Sequence, residues 1–187
     1  MGTVKLRLID SDIISNLLRT LPKSSIEFKM LEMNNLRIIT TNLVVKEVEL
    51  LLAKISNNEF RGQNLTEDVI KNTIELWKQF KSIIDIRPSV IDPSQLKNVG
   101  ERSLVNLLKK GTRNSKIVSN NREDVLRALN DADFDRNYLE TPFEFYEEVG
   151  KFWFSGRSDT IKFMIIANHD FRILNKEYCG SILRYVH

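Results

Sequence analysis

The chain has 187 residues, 42% of them hydrophobic, which suits one domain or one domain with an appendage and excludes large-scale disorder. Its 28 Lys and Arg against 25 Asp and Glu leave a net charge of +3, which permits an anionic partner through a local patch but excludes a polybasic tail as the means of binding it. A single cysteine, Cys179, excludes an internal disulfide and the common cysteine zinc patterns and points to a reducing compartment.

Residues 4 to 10 form the first predicted strand, in which Val4, Leu6 and Leu8 alternate with Lys5 and Arg7 before Ile9 and Asp10. The strand ends on a carboxylate and runs at once into an amphipathic helix, residues 12 to 21, that Pro22 stops. Asp10 thereby falls at the carboxyl edge of a sheet, where open α/β folds place ligands. Residues 23 to 35 carry a mixed, partly helical pattern. Leu36 to Thr41 is a second strand, and Asn42 is a candidate cap for a helix bearing Val44, Val45, Val48, Leu51, Leu52 and Ile55. On that helix Glu47 shares a stripe with Val44, Val48 and Leu51, and Glu49 one with Val45 and Leu52, so periodicity does not choose between the two acids.

After a polar loop, residues 56 to 63, a long helix begins near residues 64 to 66. Residues 83 to 88 read as a third strand closed by Pro88, and Gly100-Glu101 opens a helix in which the glycine makes room and Glu101 faces the sheet. Residues 116 to 119 are a fourth strand, followed by Asn120-Asn121 and a helix with Val125, Leu126 and Leu129. Four strand-helix units in succession favour a parallel sheet flanked by helices. From Asn130 the character changes to an aspartate-rich turn. Thr141-Pro142-Phe143-Glu144 then has the form of a helix start, with Thr141 as cap and Glu144 reaching back. Two or three helices are expected in the remainder. The expected division is therefore residues 1–130 as the α/β domain and residues 131–187 as a helical C-terminal extension packed on it.

Asp10, Glu47 and Glu101 all fall at strand ends or in the helices that follow. In a parallel sheet they converge on one edge, where mutual repulsion calls for a divalent cation, and oxygen donors of this kind suit Mg²⁺ or Mn²⁺ rather than zinc. Such a site supports phosphodiester hydrolysis. The segments that carry these acids resemble the PIN-domain nucleases. Leu8 to Ile14 looks like that family's first strand, with its aspartate followed by a serine. Thr41 to Glu47 is similar to its second acidic motif, which favours Glu47 over Glu49, and Gly100-Glu101-Arg102-Ser103 resembles its third. The fourth acidic position of the family falls at Ser119-Asn120-Asn121, where this chain has asparagines; an amide oxygen still coordinates but brings no charge, and Asp124 lies one turn on.

The resemblance implies a three-layer α/β/α sandwich with a mainly parallel sheet of four to five strands, followed by C-terminal helices. It also implies a Mg²⁺- or Mn²⁺-dependent ribonuclease with Asp10, Glu47 and Glu101 catalytic. Asn120 and Asp124 join them as metal ligands, and Ser11, Arg102, Ser119, Asn121 and Arg122 contact substrate. Many such proteins are toxins of toxin–antitoxin pairs inhibited by a small antitoxin, and others act in RNA processing or defence. RNA is thus the expected substrate and a small protein or a second copy the expected partner, in the cytoplasm and away from membranes, since the apolar runs are short and no signal peptide opens the chain.

Each residue also has a plainer role. Asp10 serves as a helix cap, Glu47 as a solvated helix residue, Glu101 as a complement to the helix dipole, and Asn120 and Asn121 as caps. Asp12 either meets the metal through water or caps its helix. The aromatic run Phe143 to Phe154 fits buried helix faces better than a base-stacking platform. His169 and His187 give no sign of a two-histidine mechanism, and no glycine-rich phosphate loop is present. Two other classes stand beside the ribonuclease: a PIN-fold RNA- or protein-binding module without catalysis, and a structure-specific DNA nuclease.

Overall fold

The structure is a computed structural model that describes residues 4–20, 35–57, 66–89, 91, 98–110 and 114–153, with side chains at 19, 20, 152 and 153 left aside. In chain order the elements are β1 (Lys5–Ile9), α1 (Ser11–Thr20), β2 (Leu36–Thr41), α2 (Asn42–Ser56), α3 (Glu67–Ile83) and β3 (Asp85–Arg87). There follow α4 (Val99–Leu108), β4 (Ser115–Val118), α5 (Arg122–Asn130), a 3₁₀ turn (Arg136–Tyr138), β5 (Leu139–Glu140) and α6 (Pro142–Trp153).

All five strands are parallel, in the order β3-β2-β1-β4-β5, with helices on both faces in a three-layer α/β/α sandwich. A parallel sheet covered on both faces needs strands that are apolar on both sides. Leu8, Ile9, Ile117 and Val118 on the two central strands are accordingly buried. Ile13, Ile14, Leu17 and Leu18 of α1 and Val44, Val45, Val48 and Leu52 of α2 complete the core that periodicity had marked. β1 is the middle strand, flanked by β2 in the register Leu8↔Ile39 and by β4 in the register Leu8↔Ile117.

Three details depart from the sequence expectations, each for a local reason. The cap of α2 is Thr41, whose Oγ1 accepts from the Val44 N–H; Thr41 is still extended (φ −107°, ψ 157°), so one residue ends the strand and caps the helix. Asn42 instead accepts the Ser89 N–H at 2.7 Å, tying α2 to the segment after β3. The third strand starts at Asp85 rather than Ile83, because Ile83 closes α3 and the Ile84 N–H still bonds to the Phe80 carbonyl.

The sheet continues past residue 130. Leu139 and Glu140 pair with Ile117 and Val118 of β4, and Phe145, Tyr146 and Val149 of α6 are fully buried in the same core as the strands. A buried ion-pair network adds to this attachment. Arg7 of β1 donates to Glu140 of β5 and, at 3.1 Å, to Glu148 of α6, which also pairs with Lys5 at 2.7 Å. The start of α6 is the expected capping box: the Glu144 N–H donates to Thr141 Oγ1 at 3.2 Å and the Thr141 N–H to Glu144 Oε2 at 3.0 Å. The expectations for residues 23–34, for helices after residue 153, and for Cys179, His169 and His187 lie outside the described residues.

Candidate metal centre

From β1 the chain moves to β2 and β3 on one side, then returns to β4 and β5 on the other, so the crossovers diverge between β1 and β4. In open α/β sheets that divergence leaves a crevice outside the strand ends, the usual ligand position. Asp10 follows β1 directly and Ser119 follows β4 directly, so the two residues meet across this crevice. The Ser119 hydroxyl donates to Asp10 Oδ2 at 2.8 Å, the Ser11 N–H donates to Asp10 Oδ1 at 2.7 Å, and Asp10 is 3% exposed.

Three further acids gather around Asp10. Asp12, in the first turn of α1, accepts the Asn120 N–H through Oδ2 and the Ile13 N–H through Oδ1, each at 2.7 Å. Glu101, in the first turn of α4, is buried and accepts from the Asn121 amide at 2.7 Å. Glu47 of α2 reaches over the start of α4, held by the Ser11 side chain and the Gly100 backbone. The reason for a glycine beside Glu101 is visible here: a Cβ at position 100 would lie 2.7 Å and 2.9 Å from the two Glu47 carboxylate oxygens. The expected glycine-glutamate opening therefore makes room for the carboxylate of another helix.

Electrostatically the four acids act on one another. Burial holds the Asp10 carboxyl well above the usual carboxylate range, and the neighbouring charges of Asp12 and Glu101 push it further. Burial raises Asp12 from 3.8 to about 6, against the pull of the N–H bonds it accepts. Glu47 is raised by burial and then by the charge of Glu101. Among the described residues no Lys or Arg forms an ion pair with any of the four. These are oxygen donors without a cation, a set that fits a hard divalent ion and lacks the sulfur and nitrogen donors that zinc prefers. They are not drawn into a closed cage: no group of three or more His, Cys, Asp or Glu among the described residues has ready-made ligand spacing.

The remaining expected residues divide. Ser11 and Ser119 sit in the cluster as donors to acids. Asn120 contributes its backbone N–H to Asp12. Asp124 is tied to the Asn121 amide at 2.7 Å and faces Arg127 at 3.5 Å. Arg102 turns away, pairing with Asp131 at 2.8 Å. Arg122 lines a cleft of about 1020 Å³ together with Ser119, Asn120, Asn121, Arg136 and Tyr138. Glu49, the alternative to Glu47, pairs with Lys81 at 2.6 Å and is half exposed. Phe145 and Tyr146 are fully buried and cannot stack on a base.

Three contributors, Thr40, Thr41 and Ser103, escaped the sequence reading of the site, and Asp12, read there as either a water-mediated metal contact or a helix cap, joins the acid cluster. The signal for Asp12 was its place two residues after Asp10, in the first turn of the helix that follows β1. Thr41 and Ser103 form a bonded pair at 2.6 Å, and because Ser103 Oγ also donates to the Gly100 carbonyl at 2.6 Å, the Thr41 hydroxyl is the donor between them. That chain fixes the start of α4 against the end of β2. Thr40 likewise donates to the Ile9 carbonyl at 2.9 Å, just before Asp10. No family model matches the chain, and no curated protein matches it.

Proposed function

We propose that the chain is a Mg²⁺- or Mn²⁺-dependent endoribonuclease that hydrolyses RNA phosphodiester bonds. One observation carries the reading: Asp10, Asp12, Glu47 and Glu101 converge at the switch point of a parallel sheet, buried or half-buried and without a cationic partner among the described residues. Buried like charges of this kind are costly unless something positive joins them. A bound divalent cation supplies Lewis acidity and an activated water at neutral pH. Asp10, Glu47 and Glu101 are the residues that would hold it, with Asp12 as a fourth acid beside them.

The chain's own groups set the geometry. Ser119 and the Ser11 N–H orient Asp10, Ser11 and the Gly100 backbone orient Glu47, and the cleft beside Ser119 leaves room for a phosphodiester strand. Arg122 and Arg136, which form no ion pair among the described residues, are available there to phosphates. The resemblance to PIN-domain nucleases supports the same chemistry and offers a setting, the toxin of a toxin–antitoxin pair or a phage-defence nuclease. A second reading, a binding module without catalysis, is favoured by the Asn121 amide where a fourth carboxylate is expected.

The test is cleavage of a panel of single-stranded and structured RNAs, with single-stranded and branched DNA alongside, in Mn²⁺, comparing the native chain with Asp10→Asn. The proposal expects RNA products ending in a 5′-phosphate and a 3′-hydroxyl, abolished by Asp10→Asn. Cleavage of DNA alone would move the substrate class. Binding of RNA with no cleavage of any substrate would establish the second reading.

A further inference from the structure

Asn121 occupies the N-cap of α5, where an asparagine side chain ordinarily accepts a hydrogen bond from the second or third N–H of the helix. Here its side chain makes no such bond. The amide nitrogen instead donates to two carboxylates, Glu101 Oε1 and Asp124 Oδ2, each at 2.7 Å. An amide NH₂ has two N–H groups, so one is committed to each acid. A cap whose amide ties an acid of its own first turn to an acid of another helix, in place of the usual bond to the helix N–H groups, departs from a folding rule in the way functional sites do.

Its neighbours act in parallel. The Ser119 hydroxyl donates to Asp10, the Asn120 N–H to Asp12, and the Asn121 amide to Glu101, so three consecutive residues each deliver a donor to a different acid. The backbone N–H of Asn121 bonds to Ser119 Oγ at 3.0 Å and links the ends of the strip. On the α5 side of Glu101 the next carboxylate is Asp124, already engaged by the Asn121 amide and facing Arg127. A pair of cations needs bridging carboxylates between sites about 4 Å apart. The group between Glu101 and Asp124 is a neutral amide with its N–H groups turned to both acids, so it supplies no carboxylate to bridge to a second cation.

Building on the metal-centre reading above, we infer that Asn121 is a positioning residue that orients Glu101 and limits the centre to a single divalent cation. Substituting it separates that role from a structural one. The probe is Mn²⁺ binding by calorimetry on the full chain, together with the luminescence lifetime of Tb³⁺ in the same site, which shortens as water replaces carboxylate oxygen.

The native chain is expected to bind one Mn²⁺. Asn121→Ala is expected to keep that stoichiometry with roughly tenfold weaker affinity, the lower end of what loss of an outer-shell partner costs, and with a shorter Tb³⁺ lifetime. Asn121→Asp, whose fold is checked by circular dichroism in Mn²⁺, is expected to bind two. Native affinity and lifetime in Asn121→Ala, two equivalents in the native chain, or one equivalent at native affinity in a folded Asn121→Asp would each overturn this inference and leave the metal centre standing. No Mn²⁺ bound by the native chain would overturn both.

Discussion

Gly100→Ala separates the acid cluster from the stability of the fold. The added Cβ would meet the Glu47 carboxylate oxygens at 2.7 Å and 2.9 Å, well inside van der Waals contact, and no backbone atom is among the nearest three neighbours. What must give is the end of a flexible side chain. Alanine in a helix is favoured over glycine by about 0.5–1 kcal/mol; displacing Glu47 loses two hydrogen bonds, to Ser11 and Gly100, worth about 1–3 kcal/mol together, but also frees a carboxylate whose charge burial disfavours. The net change in unfolding free energy is therefore expected to stay within about 1 kcal/mol in urea denaturation. Mn²⁺ affinity, measured by calorimetry on the same sample, is expected to fall by about tenfold or more, because Glu47 is pushed away from the other acids. A variant that keeps native Mn²⁺ affinity, or one that loses about 3 kcal/mol of stability, would refute this account of why position 100 is glycine.

The raised pKa of Asp12 gives a pH signature in metal-free protein. The folded group titrates at about 6 against 3.8 for the free side chain, so the folded state carries a penalty above pH 6, up to about 3 kcal/mol, that is relieved as the pH falls through 6 toward 3.8. Unfolding curves are expected to show the native chain losing stability relative to Asp12→Asn as the pH rises from about 4 to about 6.5; a constant difference over that range would contradict it. Arg7→Ala leaves Glu140 buried without its partner and is expected to cost about 3–5 kcal/mol, whereas Arg7→Met paired with Glu140→Leu is expected to recover most of that loss in the same assay. Thr141→Ala removes half of a capping box and is expected to cost about 1 kcal/mol.

The sheet was legible where burial leaves a long imprint. Leu8-Ile9, Ile38-Ile39 and Ile117-Val118 are short apolar runs that only a strand covered on both faces requires, and the alternation of strand and helix fixed their parallel sense. β5 left no such imprint, because two residues carry no periodicity and Glu140 is polar; its burial depends on Arg7, which lies 133 positions away in sequence. The acids were legible singly, through their places after strands, and the choice of Glu47 over Glu49 needed a pattern beyond periodicity. Glu49 faces Lys81 across two helices, a contact that no local rule announces. The sequence left Asp12 between a water-mediated metal contact and a helix cap, and Asn121 between a substrate contact and a cap. What decides their place is the company of residues distant in sequence, Asn120 after β4 for Asp12 and Glu101 of α4 for Asn121.

The most direct test of the acid cluster is a calorimetric titration of the metal-free native chain with Mn²⁺ near pH 7.5, beside Asp10→Asn and Glu101→Gln. Saturable binding by the native chain, accompanied by a rise in Tm, and its loss in both variants with no loss of fold, is the expected result. Absence of Mn²⁺ binding by the native chain, or equal binding by all three, would contradict a metal centre built on these carboxylates.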